Sequence, residues 1–504
     1  MPSPPNVDLR RRMCTWFTGA AAAWFVASLP SPAAALPEVT VGSDHILRVE
    51  DEPFFPIGLL QLGNDDYADW NDRIRQSGAN AVWDIGYAFA DSTPSCAAVR
   101  DSAEATGYKL LIGSFDTWEW DLQNTPEAEI AVPMYPADSL ETLLDCFDES
   151  DAIIALANRD EPVWALSQGN LGNIDSTHIF DTYAQLQQEA SDLPVFMNLA
   201  PVHQSADSAT WVNDLLEYRD ASDIVMWSSY PYPAGPGTCS PKVILGQPDC
   251  SMDRLPDGID LFRANVARAD QPIFANIQAH KGIPTKEARW EAYVSIIHGA
   301  TGVLWAGHNW THPGGGGAAN WSVIAPVIAE VASLHDVYVA ADLAGFTSGS
   351  PDLDVIGRRG ESPNVAYAFA ASRRGASGTM TVNVNGISQN IAWAEVLFEN
   401  RWVPVVNRKI HDHFADYEAH VYRMDAASVP QPTSAEISEA LSTDRFDARV
   451  MSNPVRDTAR VWFTAAETAT VEFAVYDITG RLIAEPQAVR SGKNGWLTWD
   501  GRDR

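Results

Sequence analysis

Basic residues are scarce in this chain: its 504 residues include 34 Lys and Arg against 66 Asp and Glu, a formal net charge of -32. A surface of this sign repels the phosphates of nucleic acids and the headgroups of anionic membranes. Long apolar runs are also missing after residue 35, where no segment reaches the about 18 uninterrupted apolar residues that a bilayer span needs. We therefore expect neutral or cationic partners, no nucleic acid and no membrane span.

Motifs for several common chemistries are missing as well. The first predicted strand is not followed by Gly-x-Gly-x-x-Gly, which argues against a dinucleotide site. There is no Gly-x-Ser-x-Gly elbow for a serine nucleophile. Cys-x-x-Cys is absent, and His203, His280 and His308 fall in separate predicted loops without close spacing. We expect no cofactor and no metal ion.

The first 35 residues have the pattern of a secretory signal peptide. Three arginines at 10–12 precede an apolar, Ala-rich segment at 16–29, and three alanines at 33–35 supply the small residues that a signal peptidase accepts. The apolar segment is short for a bilayer span and is followed by a proline pair, which disfavours a retained anchor. We expect a mature chain that begins near Leu36 and is secreted, periplasmic or held at the cell surface.

Cleavage there would leave four of the five cysteines, because Cys14 lies in the signal peptide. An even number of cysteines in an oxidising compartment suggests two disulfides. Of the three possible pairings, Cys96 with Cys146 and Cys239 with Cys250 is the most economical. The first disulfide would join two neighbouring predicted helices, and the second would close one loop rich in proline and glycine.

Residues 36–335 are predicted to form a (β/α)8 TIM barrel, the α/β part of the fold. From residue 54 onward the pattern is strand, loop and helix, repeated eight times over about 280 residues, and a parallel sheet of that size closes on itself. An open doubly wound sheet is the alternative. The apolar runs predict strands at 54–60, 79–85, 108–115, 153–157, 194–200, 223–229, 272–279 and 301–307, with helices that include 139–147, 178–190, 211–218 and 287–299.

The residues just after these strands should meet at one end of the barrel, where such folds carry their chemistry. Aromatic faces stack on the C–H faces of sugars, while amides and carboxylates hydrogen-bond hydroxyl groups, so the inventory suits a carbohydrate. The predicted substrate-binding residues at this mouth are Asp84, Trp118, Trp120, Asp160, Asn198, Trp227, Tyr230, Gln278, Trp305 and His308.

The stretch IIALANRDEPVW at 153–164 is the most informative in the chain, because its apolar run ends abruptly at a pair of carboxylates. A carboxylate pair at the carboxyl edge of a barrel strand is a candidate acid/base apparatus. The alternative is the acidic first turn of a helix with proline at its start. Neighbouring side chains on a strand point to opposite faces, so only one of Asp160 and Glu161 is expected to face the mouth.

Strand four ending in NRDEP, strand six ending in SSYPYP and strand seven reading PIFANIQAHKGIP resemble the retaining (β/α)8 glycoside hydrolases. The resemblance covers roughly residues 50–335 and the β-rich segment behind them. In that family the Glu of Asn-Glu-Pro after strand four is the acid/base, which maps onto Glu161, and a second Glu after strand seven is the nucleophile. Here strand seven has Gln278, and Asp160 replaces the Asn. The resemblance implies an exported enzyme that cleaves a neutral or cationic oligo- or polysaccharide.

The second catalytic carboxylate is not fixed by the resemblance. Retaining enzymes hold two carboxyl groups about 5 to 5.5 Å apart and inverting enzymes about 6.5 to 9.5 Å apart, and an amide serves in neither role. Asp116 and Glu119 are the candidates for this carboxylate, and Asp84 comes next. If none serves, the barrel is a non-catalytic carbohydrate-binding protein; a hydrolase of a substrate other than sugar is a third hypothesis.

Behind the barrel the sequence changes to short alternating runs. Residues 336–424 predict a β-sandwich, and residues 425–445 read as a linker. Residues 446–504 contain Asn453-Pro454, Tyr476-Asp477, Gly480-Arg481 and Trp499-Asp500-Gly501. With these motifs the segment resembles the immunoglobulin-like modules of hook-cap type that act as carboxyl-terminal sorting domains in type IX secretion. The familiar pattern continues with one more strand, so we expect a truncated module. Its partners would be secretion machinery or a cell-surface attachment.

Overall fold

The computed structural model describes residues 36–62, 67–85, 96–113, 137–148, 150–160, 162, 176–199, 208–232, 243–244, 247–248, 250–280, 282–306, 317–387, 391–425, 447–450, 459–464, 475–476, 482–484, 488–491 and 494–499. The predicted signal peptide, and the predicted linker after its first residue, lie outside these ranges. The chain divides into two compact units, Met1–Ala426 and Ala427–Arg504. None of the described helices is both long enough and apolar enough to cross a membrane.

Three short strands precede the barrel: β1 (Val39–Val41), β2 (Leu47–Val49) and β3 (Glu52–Phe54) form one antiparallel sheet. The Val39 amide N–H donates to the carbonyl of Asp192, 3.1 Å away, in the turn that leads into the fifth barrel strand. The small sheet therefore lies at the amino end of the barrel strands, away from the mouth.

Eight parallel strands close into a barrel, which confirms the predicted (β/α)8 fold and excludes the open sheet. Every strand predicted from an apolar run overlaps one of them. In barrel order the strands are β4 (Ile57–Leu62), β5 (Ala81–Ile85), β6 (Lys109–Gly113), β7 (Ile153–Asp160), β8 (Val195–Leu199), β9 (Ile224–Ser228), β12 (Ile273–Gln278) and β13 (Gly302–Ala306), with the short hairpin β10 (Val243–Ile244) and β11 (Gln247–Pro248) between β9 and β12.

Helices cover the outside of the barrel. Because strands buried on both faces need apolar side chains at almost every position, their sequences read as continuous apolar runs. The described helices are α1 (Tyr67–Ser77), α2 (Cys96–Thr106), α3 (Ala137–Cys146), α4 (Ser176–Glu189), α5 (Ser208–Tyr218), α6 (Arg254–Leu261), α7 (Thr285–Ile297), α8 (Gly317–Ala332) and α9 (His335–Tyr338), with a 3-10 turn at Arg219–Ala221 and a π-helical turn at Phe262–Val266.

One predicted disulfide is confirmed. Cys96 and Cys146 are bonded, with their Cα atoms 6.4 Å apart, and they join α2 to α3 as expected. Cys250 also takes part in a disulfide. Its predicted partner, Cys239, lies outside the described residues, so that pairing stays a prediction.

An all-β domain follows the barrel, as predicted. Its eight strands form one antiparallel sheet in the order β14-β17-β20-β19-β18-β21-β16-β15, and alternate side chains from the two halves of the sheet share a core. The domain limits at residues 335 and 424 stay predictions. The strands are β14 (Phe346–Ser348), β15 (Leu353–Arg359), β16 (Val365–Ser372), β17 (Gly378–Val384), β18 (Trp393–Val396), β19 (Arg401–Val406), β20 (Lys409–Phe414) and β21 (Ala419–Asp425).

Helix α7 lies between the barrel and this domain, and most of its side chains are buried. A helix that is covered on every side has no polar face, which explains the apolar sequence around Tyr293. The Tyr293 ring lies 5.9 Å from the ring of Phe369 on β16, and the Trp290 indole N–H donates to the Ser372 carbonyl at 2.7 Å. The barrel and the β domain therefore share one continuous core.

The second unit contains a four-stranded antiparallel sheet in the order β22-β23-β27-β26 and a separate two-stranded sheet. Antiparallel strands are what an immunoglobulin-like module requires, but its resemblance to a sorting domain stays a prediction. The strands are β22 (Asp447–Val450), β23 (Ala459–Thr464), β24 (Val475–Tyr476), β25 (Leu482–Ala484), β26 (Ala488–Ser491) and β27 (Asn494–Trp499).

Candidate active site

The lumen of the barrel is defined by two aromatic rings. Trp83 on β5 and Phe196 on β8 meet edge to face with ring centroids 5.4 Å apart. Two strands separate β5 from β8 in the barrel, so this contact crosses the lumen. Side chains alternate between the two faces of a strand, and residues paired in a parallel register share a face. Every residue in phase with Trp83 or Phe196 therefore lies on the lumen face.

Four polar side chains above this contact are linked one to the next by three hydrogen bonds. They lie side by side along the mouth of the lumen, and we call them the polar ring. Ser228 at the end of β9 donates its hydroxyl proton to Asn198 Oδ1 of β8, with an O–O distance of 2.8 Å. Asn276 Nδ2 of β12 donates to Ser228 Oγ at 2.9 Å and to the Tyr230 hydroxyl at 2.8 Å. The side chains of Asn198, Ser228 and Asn276 are almost completely buried. This ring places neutral hydrogen-bonding groups at the carboxyl ends of three adjacent strands.

Gln278 holds a loop in place. Its Oε1 accepts the Tyr232 amide proton at 2.9 Å, and its Nε2 donates to the carbonyls of Tyr232 and His280, both at 3.1 Å. A carboxylate could accept the first of these bonds but could not donate the other two. The side chain predicted to bind substrate is thus engaged with the protein backbone, and an amide is required there for that reason.

Asn276 contacts Tyr230, which follows strand β9. The Tyr230 hydroxyl accepts from Asn276 Nδ2, and the Tyr230 ring meets the His280 imidazole with centroids 5.0 Å apart. Tyr230 and Asn198 thus belong to one hydrogen-bonded network at the carboxyl ends of the strands, and their role in substrate binding stays a prediction. Within the described part of the lumen, strands β8, β9 and β12 present amides and hydroxyls and no carboxylate.

Two of the predicted mouth tryptophans do not lie there, which corrects the prediction for Trp227 and Trp305. Trp227 is fully buried on the helix side of β9: its ring is 4.9 Å from that of Phe262, and a Cβ on Gly258 of α6 would lie 2.2 Å from its Cζ2. Trp305 pairs in register with Leu59 and Ile277, out of phase with the lumen residues, and is 1% exposed. The two-residue period of the strands sends both indoles into the core beneath the helices.

The strand ends are fixed from behind by buried polar groups. Glu291 of α7 is fully buried, and its Oε2 accepts the backbone N–H of Gln278 at 2.9 Å. The buried Arg254 of α6 donates from Nε to Ser229 Oγ at 3.3 Å. Sequence reasoning missed both residues, although a Glu at an apolar phase of EARWEAYVSII is a detectable signal. Their contacts hold the two strands that carry Ser228 and Asn276.

The other predicted site residues divide into two groups. For Asp84 and Asp160 the structure gives only the register of the strand. In that register position 84 pairs with Ile112 of β6 and lies on the face of β5 opposite Trp83. Position 160 stands level with Asn198. The residues outside the described ranges are Glu161, Asp116, Trp118, Glu119, Trp120 and His308.

The chain is similar in fold to solved glycoside hydrolases. It is 12% identical to a family 51 α-L-arabinofuranosidase from Bifidobacterium longum, with a TM-score of 0.47, over 78% of this chain and 98% of that one. It is 13% identical to α-galactosidase I from Mortierella vinacea, with a TM-score of 0.46, over 74% of this chain and 96% of that one. It is 10% identical to an α-amylase from Geobacillus thermoleovorans, with a TM-score of 0.43, over 72% of this chain and 92% of that one. No protein-family model matches the chain, and no curated protein matches it.

The closed barrel and the sheet that follows it define the class of fold: a (β/α)8 barrel followed by an antiparallel all-β domain. At 10% to 13% identity the likeness is one of fold alone. It assigns neither a substrate nor a catalytic residue, because one barrel fold supports many unrelated chemistries.

Proposed function

We propose that this protein is an exported glycoside hydrolase that cleaves O-glycosidic bonds of a neutral or cationic oligo- or polysaccharide, with Glu161 as general acid/base. The observation that carries the proposal is the ring of Asn198, Ser228, Asn276 and Tyr230 at the carboxyl ends of the barrel strands. Amide and hydroxyl groups in a connected network are suited to hydrogen-bond the hydroxyls of a sugar. The excess of acidic residues disfavours an anionic polymer as substrate.

The chemistry requires a proton donor beside the scissile bond. In the proposed reaction the Glu161 carboxylic acid gives its proton to the glycosidic oxygen as the bond from that oxygen to the anomeric carbon breaks. If water attacks the anomeric carbon directly, the second carboxylate takes its proton and Glu161 is reprotonated from solvent. If water attacks an enzyme-bound intermediate, Glu161 takes its proton and is restored as the acid. The candidates for the second carboxylate from the sequence are Asp116 and Glu119. Asp84 comes after them, because the strand register sets position 84 on the face of β5 opposite Trp83.

A glycan-panel hydrolysis assay with anomer detection by NMR tests this function. The panel contains neutral and amino-sugar polysaccharides and oligosaccharides, and the expected result is release of one class of product with a single initial anomer. A product that keeps the anomeric configuration of the substrate indicates a carboxylate nucleophile. A product with the opposite configuration indicates direct attack by water. If the folded protein cleaves no glycan in the panel, the proposal fails.

A specific observation favours a second candidate function, carbohydrate binding without cleavage. Asn276 and Gln278 are amides on the strand where the resembling enzymes carry their nucleophile, and both make hydrogen bonds within the protein. A binding protein would give a calorimetric titration with glycans from the panel while releasing no product. Product release by the wild-type chain would exclude this candidate.

The two ends of the chain carry the proposal of export. Residues 1–35 would act as the signal peptide, and residues 446–504 would act in sorting or in attachment to the cell surface. Expression in a Gram-negative host followed by amino-terminal sequencing should find a mature chain that begins near Leu36. Deletion of residues 427–504 should change where the protein is found and leave glycan hydrolysis intact; an unchanged location contradicts the sorting role.

A further inference from the structure

The β domain turns one face of its sheet toward the barrel, and that face continues onto strands with exposed side chains. Phe369 of β16 and Val421 of β21 pair in register and belong to the core that the barrel and the domain share. Strand β18 pairs with β21 through Glu395 and Arg423, and Arg423 is in phase with Val421. The odd-numbered positions of β18 therefore lie on the same outward face, one strand further from the docked ones.

Strand β19 carries exposed apolar side chains on this outward face. Trp402 stands level with Glu395, and Pro404 stands level with Trp393. Trp402 is 40% exposed and Val406 43%, and Pro404 is exposed as well. Side chains that are opposite or diagonal on antiparallel strands lie within reach of an aromatic ring. The two strands thus share one apolar surface, which we call the platform: Trp393, Trp402, Pro404 and Val406.

The turn that joins β18 to β19 adds another exposed ring. Phe398 has a φ of 66° and is 49% exposed. A left-handed backbone is strained for a bulky residue, and here it holds a ring that stays largely in water. In the part of the chain that the structure describes, four large apolar side chains are exposed, and three of them fall within residues 398–406. Such a concentration is typical of a binding surface, whereas apolar residues without a binding role are scattered singly.

The charge of this face selects the kind of partner. Beyond β19 the outward face continues over β20 and β17 with the side chains of Lys409, His411, His413, Thr379, Thr381 and Asn383. The Thr381 hydroxyl lies 2.9 Å from His411 Nδ1 on this face. None of the outward side chains of β17, β19 and β20 is a carboxylate, although the chain has 66 Asp and Glu.

This charge pattern excludes most other occupants. A cationic partner would find no anion on these three strands, and one ammonium group is too few to gather an anionic polymer. A second copy of the chain would bring its own net charge of -32 against the first, so self-association is disfavoured. The face therefore complements an uncharged ligand that offers C–H surface and hydroxyl groups.

We propose that the platform is a carbohydrate-binding surface separate from the lumen, and that it holds the chain of a neutral polysaccharide. Indole and proline rings stack on the C–H faces of sugars, and the hydroxyl, amide and imidazole groups on β17 and β20 hydrogen-bond sugar hydroxyls. Because β21, the neighbour of β18, docks on the barrel, a polymer held here stays beside the barrel at raised local concentration. The inference does not require that the barrel is catalytic.

Sedimentation of the full chain with insoluble polysaccharides tests the platform. The neutral probes are microcrystalline cellulose, granular starch, curdlan and chitin, and chitosan is the cationic comparison. We compare the wild type with Trp402→Ala and with Trp402→Tyr, which keeps a ring that can stack. The matched control is Phe180→Ala, because Phe180 is also an exposed aromatic, at 39%, but lies on α4 of the barrel. Thermal unfolding checks that each variant is folded, and Trp402→Thr replaces Trp402→Ala if the latter is not.

The wild type should bind at least one neutral polymer, and Trp402→Ala should raise the Kd for that polymer by about 5- to 30-fold. Trp402→Tyr should recover most of the loss, and Phe180→Ala should bind like the wild type. The binding of chitosan, if any, should be the same for all four chains. Hydrolysis of a short oligosaccharide, which is too small to span the platform and the lumen, should be unchanged in Trp402→Ala.

Three results would overturn the inference. The first is equal binding of the neutral polymers by the wild type and Trp402→Ala, and the second is a wild type that binds none of them. The third is a dimer in sedimentation velocity that Trp402→Ala dissociates, because the platform would then be a contact between two copies. A wild type that binds through Trp402 but hydrolyses no glycan supports this inference and contradicts the proposed function.

Discussion

At the residue scale, the amide of Gln278, where the resembling enzymes have a carboxylate, has a structural reason. Asn276, two positions earlier on the same strand, is a second neutral group in the lumen. Gln278 needs both a donor and an acceptor to hold the backbone of Tyr232 and His280. Asn276 donates to two hydroxyl groups, Ser228 and Tyr230. The sequence comparison reads Gln278 as the loss of a nucleophile, whereas the contacts show that both amides make hydrogen bonds within the protein.

Restoring the carboxylate should therefore not restore a nucleophile. Gln278→Glu would set an acceptor against the carbonyls of Tyr232 and His280, so we expect the free energy of unfolding to fall by about 1–3 kcal/mol. Urea unfolding at neutral pH measures the loss, with Asp181→Asn as a surface control that should not change it. A Gln278→Glu chain that is as stable as the wild type and hydrolyses glycans faster would contradict the assignment of Gln278 as a loop clamp.

At the element scale, the sequence predicts the strands well and their faces poorly. Apolar runs such as the one at 273–278 mark a strand because both of its faces are buried. The same burial removes the alternation of polar and apolar residues that would tell the lumen face from the helix face. For this reason the sequence predicts Trp227 and Trp305 at the mouth, whereas both indoles lie beneath the helices.

Part of the site could be found from sequence nonetheless. Asn198 and Tyr230 follow apolar runs closely enough to be predicted at the mouth, and the structure joins them through Ser228 and Asn276. The Gln278 clamp could not be predicted, because its partners are backbone atoms of a loop whose path depends on the closed barrel. Long-range pairing of this kind has no local signal.

The disulfide between α2 and α3 should stabilise the barrel by restricting the unfolded chain. Cys96 and Cys146 are 50 residues apart in sequence, and closing a loop of that size is worth about 4 kcal/mol in the chain-entropy treatment. The double variant Cys96→Ser with Cys146→Ser should unfold at lower urea concentration by a corresponding amount. Reduction of the wild type should give at least this loss, because it also breaks the disulfide of Cys250. Equal stability of the wild type and the double variant would contradict the expectation.

At the scale of the whole molecule, the first unit is held together by a buried charge cluster between the barrel and the β domain. Arg373 after β16 binds Asp253 at 2.6 Å and Asp354 at 2.7 Å, with the guanidinium 4% exposed. His298 at the end of α7 bonds Asp260 at 2.8 Å and Asp354 at 2.9 Å. A buried cation that lost its carboxylates would be strongly destabilising, so the cluster fixes how the domains dock.

This cluster predicts that stability falls at alkaline pH. Burial alone would lower the pKa of His298, but hydrogen bonds to Asp260 and Asp354 raise it from 6.5 to about 9. A group with a raised folded pKa contributes stability that is complete below its unfolded value and is lost as the pH rises through the folded value. The contribution is on the order of 3 kcal/mol, and it should disappear between pH 6.5 and pH 9 or slightly above.

The comparison is between the wild type and His298→Asn, with unfolding free energies measured by urea at several pH values from 6 to 10. Other groups facing His298 are Asp260, Asp354 and Arg373, which are present in both chains. The difference in stability should be largest near pH 6 and smallest near pH 10. A difference that does not change with pH would mean that His298 is neutral in the folded protein.

The central claim is that an acidic side chain after the fourth barrel strand donates a proton to a glycosidic bond in this lumen. The most direct measurement is kcat for the wild type and Glu161→Gln on the natural glycan that the wild type cleaves. A general acid contributes about 10²- to 10⁴-fold, so the account predicts a loss of that size with the fold intact. Unchanged hydrolysis by folded Glu161→Gln would contradict it.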